Sequence, residues 1–189
     1  MDNDKTKIIN LLQTVKIEGM DKLIKYIQES DYFIAPASTK YHGSYTGGLA
    51  EHSLKVYNIF KDKVKYYNLD IELNSIIICS LLHDVCKVGL YKGSEGNYSY
   101  DREIIKEGHS KRSIEIIKQF ITLKEQEEMI IKYHMGFYGT EIIPYSQEYS
   151  SKEYMDAGRK EPLVILFHHS DNEENYFPCG IKKDLEAQK

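Results

Sequence analysis

The chain has 189 residues, 41% of them apolar and 29% charged, with a formal net charge of −4. A chain of this length buries about 70% of the surface its unfolded form exposes, so one core can hold it without staples. The charge argues against a large non-specific grip on duplex DNA, which needs an excess of Lys and Arg.

The opening MDNDKTKIIN lacks the apolar stretch of a secretory signal. Residues 5–15 place Ile8, Ile9, Leu11, Leu12 and Val15 at helical spacing, and a second short helix carries Met20, Leu23, Ile24 and Ile27. This pair, within residues 1–30, reads as a lead-in packed on the domain that follows. From Asp31 to Gly48 the pattern breaks at Pro36 and three glycines, so a long loop is expected, and such loops are often functional. Gly47 and Gly48 suit a sharp entry into the next helix. That helix runs from Leu49 to about Tyr66, with Leu49, Val56, Tyr57, Phe60 and Val64 on one face and His52 on or beside it.

Asn74 is placed to cap a helix that runs to about Val85 and is apolar on nearly every side, the mark of a central buried helix. GLYKGSEGNYSYD, residues 89–101, alternates tyrosines around SEGN and suggests a small β-hairpin. Helices are expected over about 103–120 and 123–134. A second long loop follows to Pro162, and its length over 137–160 permits a lid. A last core helix spans Leu163 to about Asn175, and residues 179–189 read as a solvated tail. The sum is an all-α domain over residues 31–178 with one short β-hairpin. No run approaches the ~20 apolar residues of a membrane helix. Cys79, Cys86 and Cys179 form no CxxC and no even framework, so a reduced, cytoplasmic protein is expected.

SLLHDVCKVG, Ser80 to Gly89, ends the most apolar helix on His83 and Asp84. A buried carboxylate is expensive unless paired or bound to a metal. Three resolutions are open. Asp84 could pair with Lys87, the two could form an exposed helix end, or both could ligate a cation. His52, His109, His134 and Asp171 hold similar positions on or at the ends of other helices. Singly, each reads as a core or capping residue. Together they offer nitrogen and oxygen ligands from several helices, a set that suits Fe, Mn, Co, Ni or Zn rather than Ca.

His52, the His83–Asp84 pair and the distant Asp171 resemble the ligand pattern of the HD-domain metal-dependent phosphohydrolases. The resemblance covers roughly residues 40–175. GGLAEHS, LLHDVCKV, the hairpin followed by GHS, and HHSDN are similar to the HD domain of bacterial 3′–5′ exoribonucleases. The resemblance implies a helical bundle holding one divalent cation (Mn, Fe, Co, Ni, Mg or Zn) on His52, His83, Asp84 and Asp171. It implies hydrolysis of a phosphoester by a metal-bound hydroxide. Two-metal relatives add histidines that His109 and His134 match, with Asp84 as the bridge. Many of them read His-His-Gly where this chain has His134-Met135-Gly136, so one expected ligand of a second metal is missing.

Lys87 lies one helical turn beyond His83 and could meet a phosphate or pair with Asp84. Arg112, on the face of His109, and His42, in the loop ahead of His52, could also contact substrate. His168 and His169 read as packing or orienting groups for the ligands. The 16 tyrosines could stack on a nucleobase or cover the domain's own surface. The stretch before residue 40 is too short for an OB-fold, and the chain is acidic, so a small phosphorylated substrate, a nucleotide or short oligonucleotide, is favoured over long RNA. The alternative is a non-catalytic, metal-stabilised nucleotide-binding or sensing module. A two-iron oxygenase is disfavoured by Met135. A homo-oligomer is left open.

Overall fold

Eight residues in succession, Ser75 to Leu82, are buried on α4 (Leu73–Leu82), so this helix has no solvent face. It therefore has to be wrapped by others. α1 (Asp2–Thr14), α3 (Gly48–Tyr67) and α6 (Glu125–Lys132) pack directly on it. α8 (Pro162–Tyr176) crosses α3, where Phe60 meets Phe167 edge-on with ring centroids 4.9 Å apart. α2 (Met20–Glu29) packs on α1, and Ile8, Leu12, Val15, Leu23 and Ile27 join the same apolar core as α4. α5 (His109–Lys118) and α7 (Ser151–Lys160) complete an all-α architecture. The one sheet among the described residues is a hairpin of β1 (Tyr91–Lys92) and β2 (Ser99–Tyr100), paired Tyr91 to Tyr100 and Lys92 to Ser99. The computed structural model describes residues 2–40, 42–100, 102–140 and 147–176. The expected solvated tail lies outside them. No helix among the described residues is long and apolar enough to cross a membrane.

Several expected boundaries move, each for a local reason. α4 begins at Leu73 behind Glu72, so Asn74 lies inside the helix and does not cap it. It ends at Leu82, before the expected Val85. His83 is its last helical-like residue, and Asp84 leaves the helix at φ −106°, ψ 16°. Adjacent residues of a continuing helix point about 100° apart, so this exit lets His83 and Asp84 serve one point in space. Val85–Lys87 follows as a 3₁₀ turn.

The helix expected over 103–120 is two pieces, a 3₁₀ turn at Arg102–Ile105 and then α5. The break is Gly108, whose φ 105°, ψ 155° is open only to glycine. α6 ends at Lys132, two residues short of the expected His134. The second long loop is not all loop. Gly136–Thr140 is a 3₁₀ turn, and α7 occupies Ser151–Lys160. Ser150 caps α7 by accepting from Glu153 N at 3.2 Å while the Glu153 carboxylate takes Ser150 N–H at 2.7 Å. The S-x-x-E signature was present in the sequence.

The loop ahead of α3 is pinned by its own backbone. Ala37 N–H donates to Gly43 O, Gly47 N–H to Ile34 O and Leu49 N–H to Ala35 O. Gly47 adopts φ 87° to start α3. Tyr32, fully buried, donates its hydroxyl to Leu81 O at 2.5 Å. Leu81 is in the last turn of α4, where carbonyls lack intrahelical donors. One hydroxyl thus ties the loop to the end of the central helix.

Tyr32→Phe keeps the ring and removes that bond. It is expected to cost about 1–3 kcal/mol, since a buried carbonyl loses its donor. Tm should fall by roughly 2–4 °C per kcal/mol for a domain of this size. An unchanged denaturation midpoint would show that the hydroxyl carries no stability.

Candidate metal centre

Five buried ligands arrive from four places. His52 sits in the second turn of α3 and His83 at the end of α4, with Asp84 in the turn beyond. His134 lies just past α6, and Asp171 on α8. Each imidazole is fixed by its Nδ1. His83 Nδ1 is 3.0 Å from Ser80 O, and His134 Nδ1 is 2.7 Å from Ile131 O. A carbonyl only accepts, so Nδ1 carries the hydrogen and a neutral ring presents its lone pair at Nε2. His52 Nδ1 donates likewise to Glu174 Oε2 at 2.6 Å. Phe167 packs edge-on against the His83 ring at 5.4 Å, so the apolar core itself sets that ring's plane.

The free nitrogens converge with two carboxylates. His52 Nε2 is 3.3 Å from His83 Nε2, 3.2 Å from Asp171 Oδ1 and 3.6 Å from Asp84 Oδ2. His83 Nε2 is 3.5 Å from Asp84 Oδ2 and 4.0 Å from Asp171 Oδ1. Ligands bonded at about 2.1 Å to one ion stand roughly 3.0 Å apart at right angles and roughly 3.4 Å apart at tetrahedral angles. His52, His83 and Asp171 thus group around one point that fits one cation, with Asp84 Oδ2 beside both imidazoles at slightly wider spacing. His134 Nε2 points to the same region, 3.7 Å from Asp84 Oδ1, too far for a hydrogen bond, and it is buried with no hydrogen-bond partner. With both rings neutral, imidazole nitrogens facing each other beside two carboxylates fit a divalent ion of the Mn, Fe, Co, Ni or Zn kind.

The electrostatics agree with that fit. Burial alone would raise the Asp84 carboxyl, but the Lys87 ammonium together with His83 and His134 outweighs it and holds the group well below the usual carboxylate range. Lys87 Nζ is 2.5 Å from Asp84 Oδ2. Burial would likewise raise Asp171, and His52 pulls it down. Burial disfavours a charged His52, yet Asp171 and Glu174 raise its pKa to about 9. In an ion-free site a proton on His52 thus supplies part of the positive charge that the carboxylates require.

The remaining expected residues fall in different places. His42 lies over His52, with ring centroids 5.2 Å apart, and burial with the neighbouring His52 lowers its pKa to about 4. His109 is buried beside Cys86 and groups with Asp84 and Cys86, not with His134. Arg112 spends Nη1 on Ile104 O and Nη2 on Val88 O, each at 3.0 Å, which ties α5 to the turn after α4. His168 donates from Nδ1 to His134 O at 2.7 Å and is itself held by Asn172 Nδ2, 2.8 Å from Nε2. Gly136, at φ 57°, lies so close that a Cβ there would stand 2.3 Å from the His168 ring. His169 is exposed. Among the tyrosines, Tyr133, Tyr149 and Tyr154 are buried in a satellite cluster of the protein's own interior.

Two residues escaped the sequence reading. Cys86 is one. Glu174 is the other, three residues after Asp171 on the same helix and buried. An acidic residue at that spacing on a buried stripe was the available signal. Glu174 also meets Lys55 Nζ at 3.3 Å, and Lys55 meets Glu51 at 2.7 Å. Tyr45 donates its hydroxyl to Glu51 at 2.9 Å.

Glu174→Gln is expected to weaken binding of a divalent cation about 10–100-fold, because the carboxylate fixes the tautomer and basicity of His52. Equilibrium dialysis with Mn²⁺ measures it, and an unaltered affinity would remove Glu174 from the site.

Comparison with known proteins adds one match. Neither the curated proteins nor the solved structures yield a match. The family model described as HD domain matches residues 49–176, from the start of α3 to the end of α8. That span contains His52, His83, Asp84, His134 and Asp171, and it covers well over half of the chain. The chain belongs to the HD-domain family.

Proposed function

We propose that the protein is a metal-dependent phosphohydrolase acting on a phosphoester of a nucleotide or short oligonucleotide. The observation that carries this reading is the spacing of His52 Nε2 and His83 Nε2 from each other and from Asp84 Oδ2 and Asp171 Oδ1, between 3.2 and 4.0 Å. These four side chains would hold one divalent cation, which when bound would supply Lewis acidity at the phosphoryl group and to water.

The chain's own groups do the rest. Glu174 and Ser80 O orient His52 and His83 through their Nδ1 atoms. Asp84 and Asp171 remain ionised, for the causes already given, and so keep their lone pairs for the cation. Lys87, buried and kept protonated by Asp84 against the cost of burial, contributes donors to a phosphoryl oxygen. His42, neutral at pH 7, accepts or donates one hydrogen bond to substrate beside His52. Arg112 has its donors on backbone carbonyls, so its part is to hold the Lys87 turn against α5.

A nucleotide substrate is inferred from the resemblance of its sequence blocks to those of exoribonuclease HD domains and from the acidic balance of the chain. A short substrate suits that balance because a cation and Lys87 supply local positive charge without a basic surface. The alternative is a non-catalytic, metal-stabilised nucleotide-binding module built on the same ligands.

Activity separates the two. Protein loaded with Mn²⁺ or Co²⁺ is expected to release phosphate or nucleoside monophosphate from a mixed nucleotide and oligonucleotide panel. Asp84→Asn and Asp171→Asn should each lower the rate at least about 10³-fold, as loss of the Lewis acid and its water demands. Full activity in either variant sinks the assignment, and an inert wild type across the panel supports the binding module. Chelation should abolish turnover, with return on adding back Mn²⁺. It should also lower Tm, because a ligand held only by the folded state stabilises it by mass action.

A further inference from the structure

The turn after α4 carries a second cluster. Asp84, Cys86 and His109 each bring one ligand atom within 4.8 Å of the others, and all three are buried. Cys86 Sγ is 3.2 Å from His109 Nδ1. The arrangement is anchored from two sides. Ser113, one helical turn beyond His109 on α5, accepts the Cys86 backbone N–H on its Oγ at 3.1 Å. Arg112 ties the same helix to Val88 O at 3.0 Å. Thiol and imidazole are thus brought together by the docking of α5 on the turn.

The spacing and the charge both bear on what this cluster could hold. Ligands at about 2.3 Å (sulfur) and 2.1 Å (nitrogen) from one ion stand roughly 3.1 Å apart at right angles and roughly 3.6 Å apart at tetrahedral angles. The observed 3.2 Å lies between. His134, by contrast, groups with His83 and Asp84 and not with His109. Any cation entering here also faces the Lys87 ammonium on Asp84. A neutral imidazole does nothing to offset that repulsion, whereas a thiolate brings a negative charge of its own.

We propose that Asp84, Cys86 and His109 form a second cation site, one that selects a thiophilic divalent ion such as Zn²⁺ or Co²⁺. Binding exchanges the thiol proton for the metal: Cys–SH and M²⁺ give an M–S bond, and H⁺ leaves to solvent. The site rests on the one-ion reading above only through Asp84, which both share. Its chemical class differs, because the first site contains no sulfur.

Cobalt titration of the full chain tests this, since a cobalt–thiolate bond adds a near-ultraviolet charge-transfer band to the visible bands of Co²⁺ held by nitrogen and oxygen. The visible bands are expected first, and the sulfur band as a second equivalent binds. Cys86→Ser should lose the sulfur band and keep the visible ones, while Cys179→Ser should keep both. Visible bands without a sulfur band in the wild type overturn the thiolate site and leave the first site standing. No cobalt uptake overturns both. A sulfur band that survives Cys86→Ser also overturns the proposal. If Cys86→Ser does not fold, X-ray absorption of the zinc-loaded wild type decides: sulfur at about 2.3 Å supports the site, and a shell of only nitrogen and oxygen overturns it.

Discussion

Two carboxylates, Asp84 and Asp171, lie almost out of solvent at 4% and 8% exposure, and the centre of this molecule is organised around neutralising them. An isolated ionised carboxylate in such a place is among the most costly groups a fold can bury. Glu174 adds a third. Against these stand the ammonium groups of Lys87 and of Lys55, which Glu51 also claims at 2.7 Å. Negative charge is left over, and a proton on His52 or a cation answers part of it. This deficit is why the geometry reads as a metal centre and not as a set of unrelated ion pairs. Orphaned His134 Nε2 has the same meaning, since a buried lone pair without a donor is tolerated where an ion takes its place.

The helices supply the confinement that makes this charge set matter. α4 is buried all round, so its end is the one place on it where polar side chains can be released into a shared space. Phe60, Phe167 and His83 form a continuous edge-to-face contact from α3 through α8 to the site. That apolar wall lowers the local dielectric and strengthens every interaction beside it. Tyr32 fixes the last turn of α4 from the opposite side, through the carbonyl of Leu81. The pinned loop of residues 31–48 then lays His42 over His52. Core packing and site geometry are in this sense one set of contacts.

The all-α class was legible because long apolar stripes at helical period leave few alternatives. The small hairpin was legible from a polar turn between tyrosines. The ends of elements were not. Nothing in the apolar run to Val85 reveals that the chain leaves the helix at Asp84, because the reason is the meeting of two side chains with residues far away in sequence. Gly108 did carry a local signal, but a lone glycine within a helical pattern is tolerated as often as it breaks one. α7 was hidden in a segment rich in Gly, Tyr and Ser, although the Ser150–Glu153 capping pair marks its start. Among candidate site residues, those beside apolar runs stood out. Glu174 sat in a run of acids, SDNEEN, that reads as solvent-facing until α8 turns one of them inward.

Asp84 is the most contested atom group in the protein. Its Oδ1 faces His134, while Oδ2 faces His52, His83 and the Lys87 ammonium at 2.5 Å. On the proposed reading, a divalent ion arriving at Oδ2 and an ammonium cannot both keep contact with that oxygen, since two like charges at this range repel strongly in a dry site. A doubly charged ion held by His52, His83 and Asp171 would claim that oxygen more firmly than the ammonium does. Lys87 then needs another anion, and burial makes that need acute. A phosphoryl oxygen brought to the same cation meets it. On the proposed function, the contact that stabilises the ion-free centre would also reserve a protonated amine for a phosphorylated ligand.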